Sequence, residues 1–383
     1  MLDVLRAVQP NLTAKQFIFI VVNTIRAQLG VKKILLVSRL ANQFKIHTNF
    51  GFSHLSGLDF SFLLDTKYTQ PFPRNLDSPD PLPEFVIPLG NKQNPDAWFL
   101  VSEFADTDSE AENDLIFMET LGNILVITLN NIRLFEEKMA QQRIEQELEL
   151  AEQIQKQLLA SNFQIHPSLD IYAVNLSHHK VGGDFYDLIS ISEDEFYVCM
   201  ADVAGKGIAA ALMVANLQAN LRALVFAHDS PVLIIENLNK VFLGVTKGEH
   251  FVTLFLARID LKAQKMKFIN AGHNPPLFIH QQSAKELTDG CIPVGIMEMP
   301  FLHCTEISFV PGDRIFLYTD GIVEQTNPAG DLIGWEPVKE LVIALAENNS
   351  ETIVSEAVSK VQQYAGTEPA VDDISCMNIR FLE

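Results

Sequence analysis

The sequence predicts two mixed α/β (α+β) domains joined by a long polar helix, and three observations predict it. Residues 1–135 combine one helix-spaced stretch with three strand-like runs. From Asp114 to Leu159 the helical spacing continues without a Gly or Pro after Gly122. Residues 165–383 alternate strand-like runs with two helical stretches, a pattern that suggests a β-sandwich flanked by helices. The expected organisation is therefore a domain at 1–135, a helical linker at 136–164 and a domain at 165–383.

In the first domain, Thr13 to Leu29 places Phe17, Ile20, Val21, Ile25 and Leu29 on one face, behind a cap at Asn11 or Thr13. Val31 to Val37, Phe85 to Leu89 and Ala97 to Glu103 read as strands separated by Gly, Pro, Asn and Asp clusters. Asp65 to Pro83, rich in Pro and Asp, reads as a long surface loop. In the linker, Leu121, Leu125, Ile132, Phe135 and Met139 give way to Ile144, Leu148, Ala151, Ile154 and Leu158, with a five-residue step after Met139. The stretch Glu136 to Gln157 is otherwise polar, as in a two-stranded coiled coil. So narrow a stripe needs a partner, and a homodimer is expected, a solvated helix packed on its own domain being the alternative. In the last domain the strand-like runs are Phe196 to Met200, Phe251 to Ile259, Lys265 to Ile269, Pro276 to His280, Arg314 to Tyr318 and Ser375 to Leu382. The helical stretches are Ile208 to Phe226 and Pro231 to Val245.

Hydrophobic residues make up 48% of the 383-residue chain and charged residues 20%, the composition of globular material. A formal net charge of −20 excludes a phosphate backbone as partner, because nucleic acids are bound through clustered Lys and Arg. Cys199, Cys291, Cys304 and Cys376 form no CxxC pair, which indicates neither a zinc knuckle nor a disulfide framework. The patch Phe17 to Val22 is too short to span a bilayer, and Asn123, Asn130, Asn131 and Arg133 interrupt Leu121 to Leu134. A cytoplasmic protein without a membrane partner is expected.

Four acidic motifs follow one another in the last domain: Gly182-Gly183-Asp184-Phe185-Tyr186-Asp187, Ala201-Asp202-Val203-Ala204-Gly205-Lys206-Gly207, Tyr318-Thr319-Asp320-Gly321 and Val371-Asp372-Asp373-Ile374-Ser375. Asp202 and Asp320 each end a short apolar run and precede small residues, the grammar of a strand that projects a carboxylate at a sheet edge. Oxygen ligands gathered from strand ends suit Mg²⁺ or Mn²⁺, whereas zinc would want His or Cys. An N-cap role for Asp202 fails because the helix begins six residues later, near Ile208. Adjacent Asp372 and Asp373 repel unless a cation is present. Asp187 reads as a plain turn residue, an acceptor of a hydrogen bond from water being the alternative. Gly205-Lys206-Gly207 lacks the Ser or Thr and the earlier glycine of a nucleotide-binding loop, though Lys206 suits a phosphorylated substrate. His273 is either a general acid or, more commonly for a lone His in a Pro-bounded loop, structural.

Taken in order, GGDFYD, DVAGKGIAAALMVA, NAGHNPP, YTDGIVE and DDIS resemble the bacterial branch of the PPM (PP2C-type) protein serine/threonine phosphatases, the stage II sporulation protein E and RsbU group, over about residues 165 to 383. The resemblance implies an αββα phosphatase domain and two divalent ions, Mn²⁺ or Mg²⁺. It makes Asp202 and Asp184 the catalytic carboxylates, Asp202 bridging both ions and Asp184 serving the second. The Val203 carbonyl, Asp320 and Asp372 would complete the first ion's sphere, with Asp373 as the alternative to Asp372 or as its support. The implied reaction is attack of water on a phosphoserine or phosphothreonine without a covalent phosphoenzyme, and no GxSxG nucleophile motif is present. The implied substrate is a phosphorylated STAS-type anti-sigma factor antagonist. Residues 1–135 resemble in outline a GAF sensor domain, another small α/β domain being the alternative. No Cys or His placement there marks a haem or bilin, so a small ligand, if sensed, has no signature. The competing expectation is a pseudophosphatase that only holds a partner.

Overall fold

The computed structural model describes residues 13–383 except 41–42, 54–58, 74–81, 92, 105–107, 161–162, 164–165 and 281–282. The chain separates into two compact units, Met1–Ile144 and Glu145–Glu383.

The first unit begins with α1 (Ala14–Leu29), capped by Thr13 through a capping box with Gln16 and closed by Gly30 in the left-handed region. Strands β1 (Lys33–Leu40), β2 (Gln43–Phe50), β3 (Gln70–Pro71), β4 (Phe85–Leu89) and β5 (Ala97–Ser102) form an antiparallel sheet in the order β2-β1-β5-β4-β3. Alternation along β1 and β5 divides the core. Ile34, Leu36, Phe99 and Val101 face α1 and the start of α2 (Asp108–Leu158), while Leu35, Val37, Trp98 and Leu100 meet Phe52, Leu63 and Phe72. The expected loop Asp65 to Pro83 contains β3, because Gln70 and Pro71 pair with Val86 and Phe85; its residues 74–81 lie outside the described set. Strand β2 has no counterpart in the sequence reading. Its side chains alternate poorly, with Ile46 and Phe50 exposed.

Helix α2 runs unbroken for 51 residues, through Gly122, with no Pro and no further Gly to end it. Along it Phe135, Met139, Ile144 and Ile154 are exposed. Windows within Ala111–Leu158 and Ile208–Ala227 reach mean hydropathies of 1.5 and 1.4, enough by length and composition to cross a membrane. The latter helix instead covers a sheet.

The second unit is a sandwich. One sheet runs β13-β10-β9-β8-β7, with β14 also on β10; the other runs β12-β11-β15-β16-β6. Its strands are β6 (Leu169–Leu176), β7 (Asp184–Ser190), β8 (Glu195–Val203), β9 (Val252–Asp260), β10 (Lys265–Ala271), β11 (Leu277–His280), β12 (Ser283–Glu286), β13 (Gly290–Cys291), β14 (Thr305–Ser308), β15 (Arg314–Tyr318) and β16 (Ile374–Phe381). Helices α3 (Ile208–Ala227) and α4 (Pro231–Thr246) cover the first sheet through Val214, Leu217, Leu221, Ile234 and Leu238. After the short α5 (Gly321–Glu324), α6 (Glu336–Ala344) and α7 (Ser350–Ala365) cover the second through Val338, Val342, Ile353 and Val354. Between the sheets lie Val198, Met200, Phe255, Ile315, Leu317, Met377 and Ile379, each fully buried apolar side chain contributing roughly 1.5–3 kcal/mol. This is the expected αββα order.

Candidate metal centre

The two-residue period of the strands decides where each carboxylate goes. Along β8, Tyr197, Cys199, Ala201 and Val203 face the helices, so Asp202 faces the opposite sheet with Val198 and Met200. On β7, Phe185 and Ile189 face the helices, which puts Asp184 on the inner face, directly across from Asp202 in the ladder. Directly opposed like charges destabilise a sheet unless something neutral or cationic intervenes. From the other sheet, Asp320 follows β15 as the cap position of α5, and Asp372 and Asp373 immediately precede β16. All five carboxylates therefore stand at strand ends of one sandwich.

Asp184 is buried and accepts a hydrogen bond from Thr319 Oγ1 at 2.7 Å, while Thr319 Oγ1 accepts from the Ser375 amide at 2.9 Å. Burial first, and the charge of Asp202 second, raise its pKa well above the usual carboxylate range. Burial, then the Asp320, Asp372 and Asp373 charges, push Asp202 up to about 7. Asp320 is pushed up to about 6 by burial, then by Glu324 and Asp372. Such a set resists becoming fully ionised unless a cation joins it.

Asp372 and Asp373 divide their work. Asp373 is buried, and its carboxylate accepts backbone hydrogen bonds from His178 at 2.7 Å and Gly183 at 2.8 Å. Asp372 is partly open and pairs with the Lys206 ammonium at 2.7 Å. The Gly182-Gly183 turn has no room for side chains. A Cβ on Gly182 would sit 2.0 Å from Asp373 Oδ2, and one on Gly183 would sit 2.8 Å from the Val203 carbonyl and 3.2 Å from Asp202 Oδ1.

The glycine turn lets the backbone approach Val203 O and Asp202 Oδ1 closely, and the all-oxygen donor set fits a hard divalent cation. As they stand, no three of the acidic groups converge closely enough to enclose one among the described residues. The residues that would hold the ions are thus brought to one place but not drawn together.

One sequence reading changes, and one open alternative gains a setting. Asp187 is not a turn residue: it lies inside β7, fully buried on the helix face, with its carboxylate held by Arg222 of α3 at 2.8 and 2.9 Å. His273 has the surroundings of a structural histidine. It is buried, donates or accepts at Nδ1 with Thr253 Oγ1 at 2.8 Å, and burial lowers its pKa to about 3. Two residues carry no functional signal in the sequence: Thr319, which precedes Asp320, and Gln155 near the end of α2. The Gln155 amide accepts from the Gly182 N–H at 3.0 Å and donates to the Gly182 carbonyl at 2.7 Å. A partly buried glutamine within a polar helical stretch gave no signal of that contact.

A family model described as stage II sporulation protein E (SpoIIE) matches residues 192–382, a stretch that contains Asp202, Asp320, Asp372 and Asp373 but not Asp184. The chain is 28% identical over 185 residues to the phosphoserine phosphatase RsbP of Bacillus subtilis (strain 168), covering 47% of this chain and 46% of that one. It is 27% identical over 194 residues to the phosphoserine phosphatase RsbU of the same strain, covering 50% and 58%. The chain thus spans about half the length of these relatives. Among solved structures, the SiaA-PP2C domain of Pseudomonas aeruginosa superposes with a TM-score of 0.57 at 22% identity, over 63% of this chain and 98% of that domain. The PP2C phosphatase domain of SpoIIE from Bacillus subtilis, solved with a fragment of its regulatory domain, gives 0.50 at 19% identity, over 56% and 62%. Both likenesses are of fold.

Proposed function

With a SpoIIE-type PP2C phosphatase domain as its C-terminal unit, we propose that this chain is a metal-dependent protein serine/threonine phosphatase acting on a phosphorylated regulatory protein. One observation carries the reading: Asp184 and Asp202 stand opposite each other on β7 and β8, with Asp320 and Asp372 supplied by the other sheet. When bound, two ions of the Mn²⁺ or Mg²⁺ type lower the pKa of water and neutralise phosphoryl charge. Asp202 and the Val203 carbonyl would hold the first ion with Asp320 and Asp372, and Asp184 the second. Thr319 fixes the Asp184 carboxylate. Asp373 fixes the glycine turn, which lies against Val203 O and Asp202 Oδ1. The Gln155 amide holds the same turn from the linker helix.

The names of RsbP and RsbU support a phosphoserine substrate, and the motif resemblance narrows it to a STAS-type anti-sigma antagonist. The exposed residues Phe135, Met139, Ile144 and Ile154 support dimerisation through the linker. A five-stranded antiparallel sheet with two helices on one face supports a GAF-like sensor in the first unit. An open pocket there of about 640 Å³, lined among others by Ser38, Arg39, His47 and Asp96, supports a small ligand in this unit.

The test is phosphate release from phosphorylated STAS proteins of the same organism, with Mn²⁺ and with chelator. Release that needs Mn²⁺ is expected; undiminished release in excess chelator would refute the metal reading. The incomplete convergence of the carboxylates favours a second reading, a scaffold that binds the phosphoprotein without hydrolysing it. Binding without release at saturating Mn²⁺ would establish that one.

A further inference from the structure

We infer that the Lys206 ammonium and the first metal ion compete for the Asp372 carboxylate, so that Lys206 is a tethered counter-ion that sets how readily the centre loads. The inference rests on the metal reading above. Lys206 Nζ lies 2.7 Å from Asp372 Oδ2 and 3.0 Å from the Val371 carbonyl. Among the described residues it is the one cationic side chain paired with any of Asp184, Asp202, Asp320, Asp372 and Asp373. A lysine in that position balances one charge of the cluster with a point cation that donates three hydrogen bonds, but it cannot gather several carboxylates at short range as a divalent ion does. The observed arrangement has that character: Asp372 is held, and among the described residues no three acidic groups close on a common centre.

The turn is built to let the ammonium go. Lys206 sits between Gly205 at φ 110° and Gly207 at φ 72°, two residues whose backbones reach either sign of φ without a side-chain penalty. A Cβ on Gly207 would meet nothing within 4 Å. The Lys206 side chain is half exposed and lines an open pocket of about 380 Å³ with Leu148, His179, Lys180 and Ile208. Rotation into that pocket frees Asp372 while Asp202 keeps its ladder position on β8. A site that is competent only when the lysine has left binds more weakly by the fraction of time it has left.

The test compares the full-length parent chain with Lys206→Met and Lys206→Arg, each stripped of metal, by calorimetric titration with Mn²⁺ and by counting free Mn²⁺ with electron paramagnetic resonance. Lys206→Met should bind about tenfold more tightly at one site with unchanged stoichiometry, a difference of about 1.4 kcal/mol. Lys206→Arg should stay near the parent, and adding Asp372→Asn to Lys206→Met should abolish the gain. Equal or weaker Mn²⁺ binding by Lys206→Met overturns the inference while leaving the phosphatase reading intact. A raised KM for phosphoprotein with unchanged Mn²⁺ affinity also overturns it, by making Lys206 a substrate contact. Absence of Mn²⁺ binding in every variant sinks both the inference and the metal reading. Lys206→Gln, with melting measured in chelator, separates these outcomes from a folding defect.

Discussion

Replacing Asp187 by asparagine keeps the side chain's shape and removes its charge, and the structure sets what that costs. The carboxylate is fully buried, accepts from Arg222 Nε at 2.8 Å and a terminal guanidinium nitrogen at 2.9 Å, and also from the Leu188 amide at 2.8 Å. Removing one partner of a buried pair costs about 3–5 kcal/mol. Arg222 is 45% exposed, so water takes over part of the guanidinium and the expected loss falls to about 2–3 kcal/mol. For a unit of this size each kcal/mol moves the melting point by about 2–4 °C, so the second unit should melt roughly 5–10 °C lower. Scanning calorimetry of the full chain reads this, the second unit being the transition that Mn²⁺ shifts upward. Arg222→Met should cost at least as much, because the carboxylate left behind is sealed from water and the guanidinium is not. The double variant should lose less than the two single losses combined. An Asp187→Asn protein melting within 1 °C of the parent, or strict additivity, would show that the pair holds nothing together.

Asp202→Asn should lower phosphatase activity by 100-fold or more, because it removes the carboxylate common to both proposed ions, whereas Asp187→Asn assayed below its melting point should retain most activity; similar losses would undo the assignment of roles. In the metal-stripped protein Asp202 at about 7 and Asp320 at about 6 hold protons that the unfolded chain gives up near pH 4. Their stabilisation is complete below pH 4 and is lost as pH rises through 6 to 7. Melting in chelator should therefore fall between pH 5 and 8, Mn²⁺ should restore it, and Asp202→Asn should flatten the slope; a rising trend in chelator that Asp202→Asn leaves unchanged contradicts the sign. Sedimentation should find the full chain dimeric and residues 165–383 monomeric, and a monomeric full chain at micromolar concentration removes the coiled coil. We propose that the first unit controls activity through this helix; one residue inserted near Gln142 rotates the remainder of the helix by about 100°, while seven restore the phase approximately, so only the first should alter turnover or Mn²⁺ requirement.

Asp202 and Asp320 were legible because each closes a run that is apolar and then abruptly small: Phe196 to Ala201 before Asp202, Ile315 to Thr319 before Asp320. Helices α3 and α4 and strand β15 were equally plain, being bounded by Gly, Pro or a clean apolar block. Strand β7 was not, and the reason is two-sided burial. In Asp184 to Ser190 both faces are covered, one by the opposite sheet and one by α3, so there is no polar face to reveal the alternation. Its two aspartates look like turn chemistry until their partners are known, and those partners, Thr319 and Arg222, lie 135 and 35 residues away. The Asp372-Asp373 pair is opaque in the same way, since only the amides of His178 and Gly183 tell which carboxylate is tied down. Helix α7 is a different kind of miss. Asn349 caps it, and Ile353, Ala357 and Val361 recur every fourth residue, a local signal that was present and went unread. Local grammar therefore locates carboxylates that stand at the ends of plainly apolar strands. It fails for those whose charge is answered from distant sequence, and Asp372, answered by Lys206 from another motif, belongs with them.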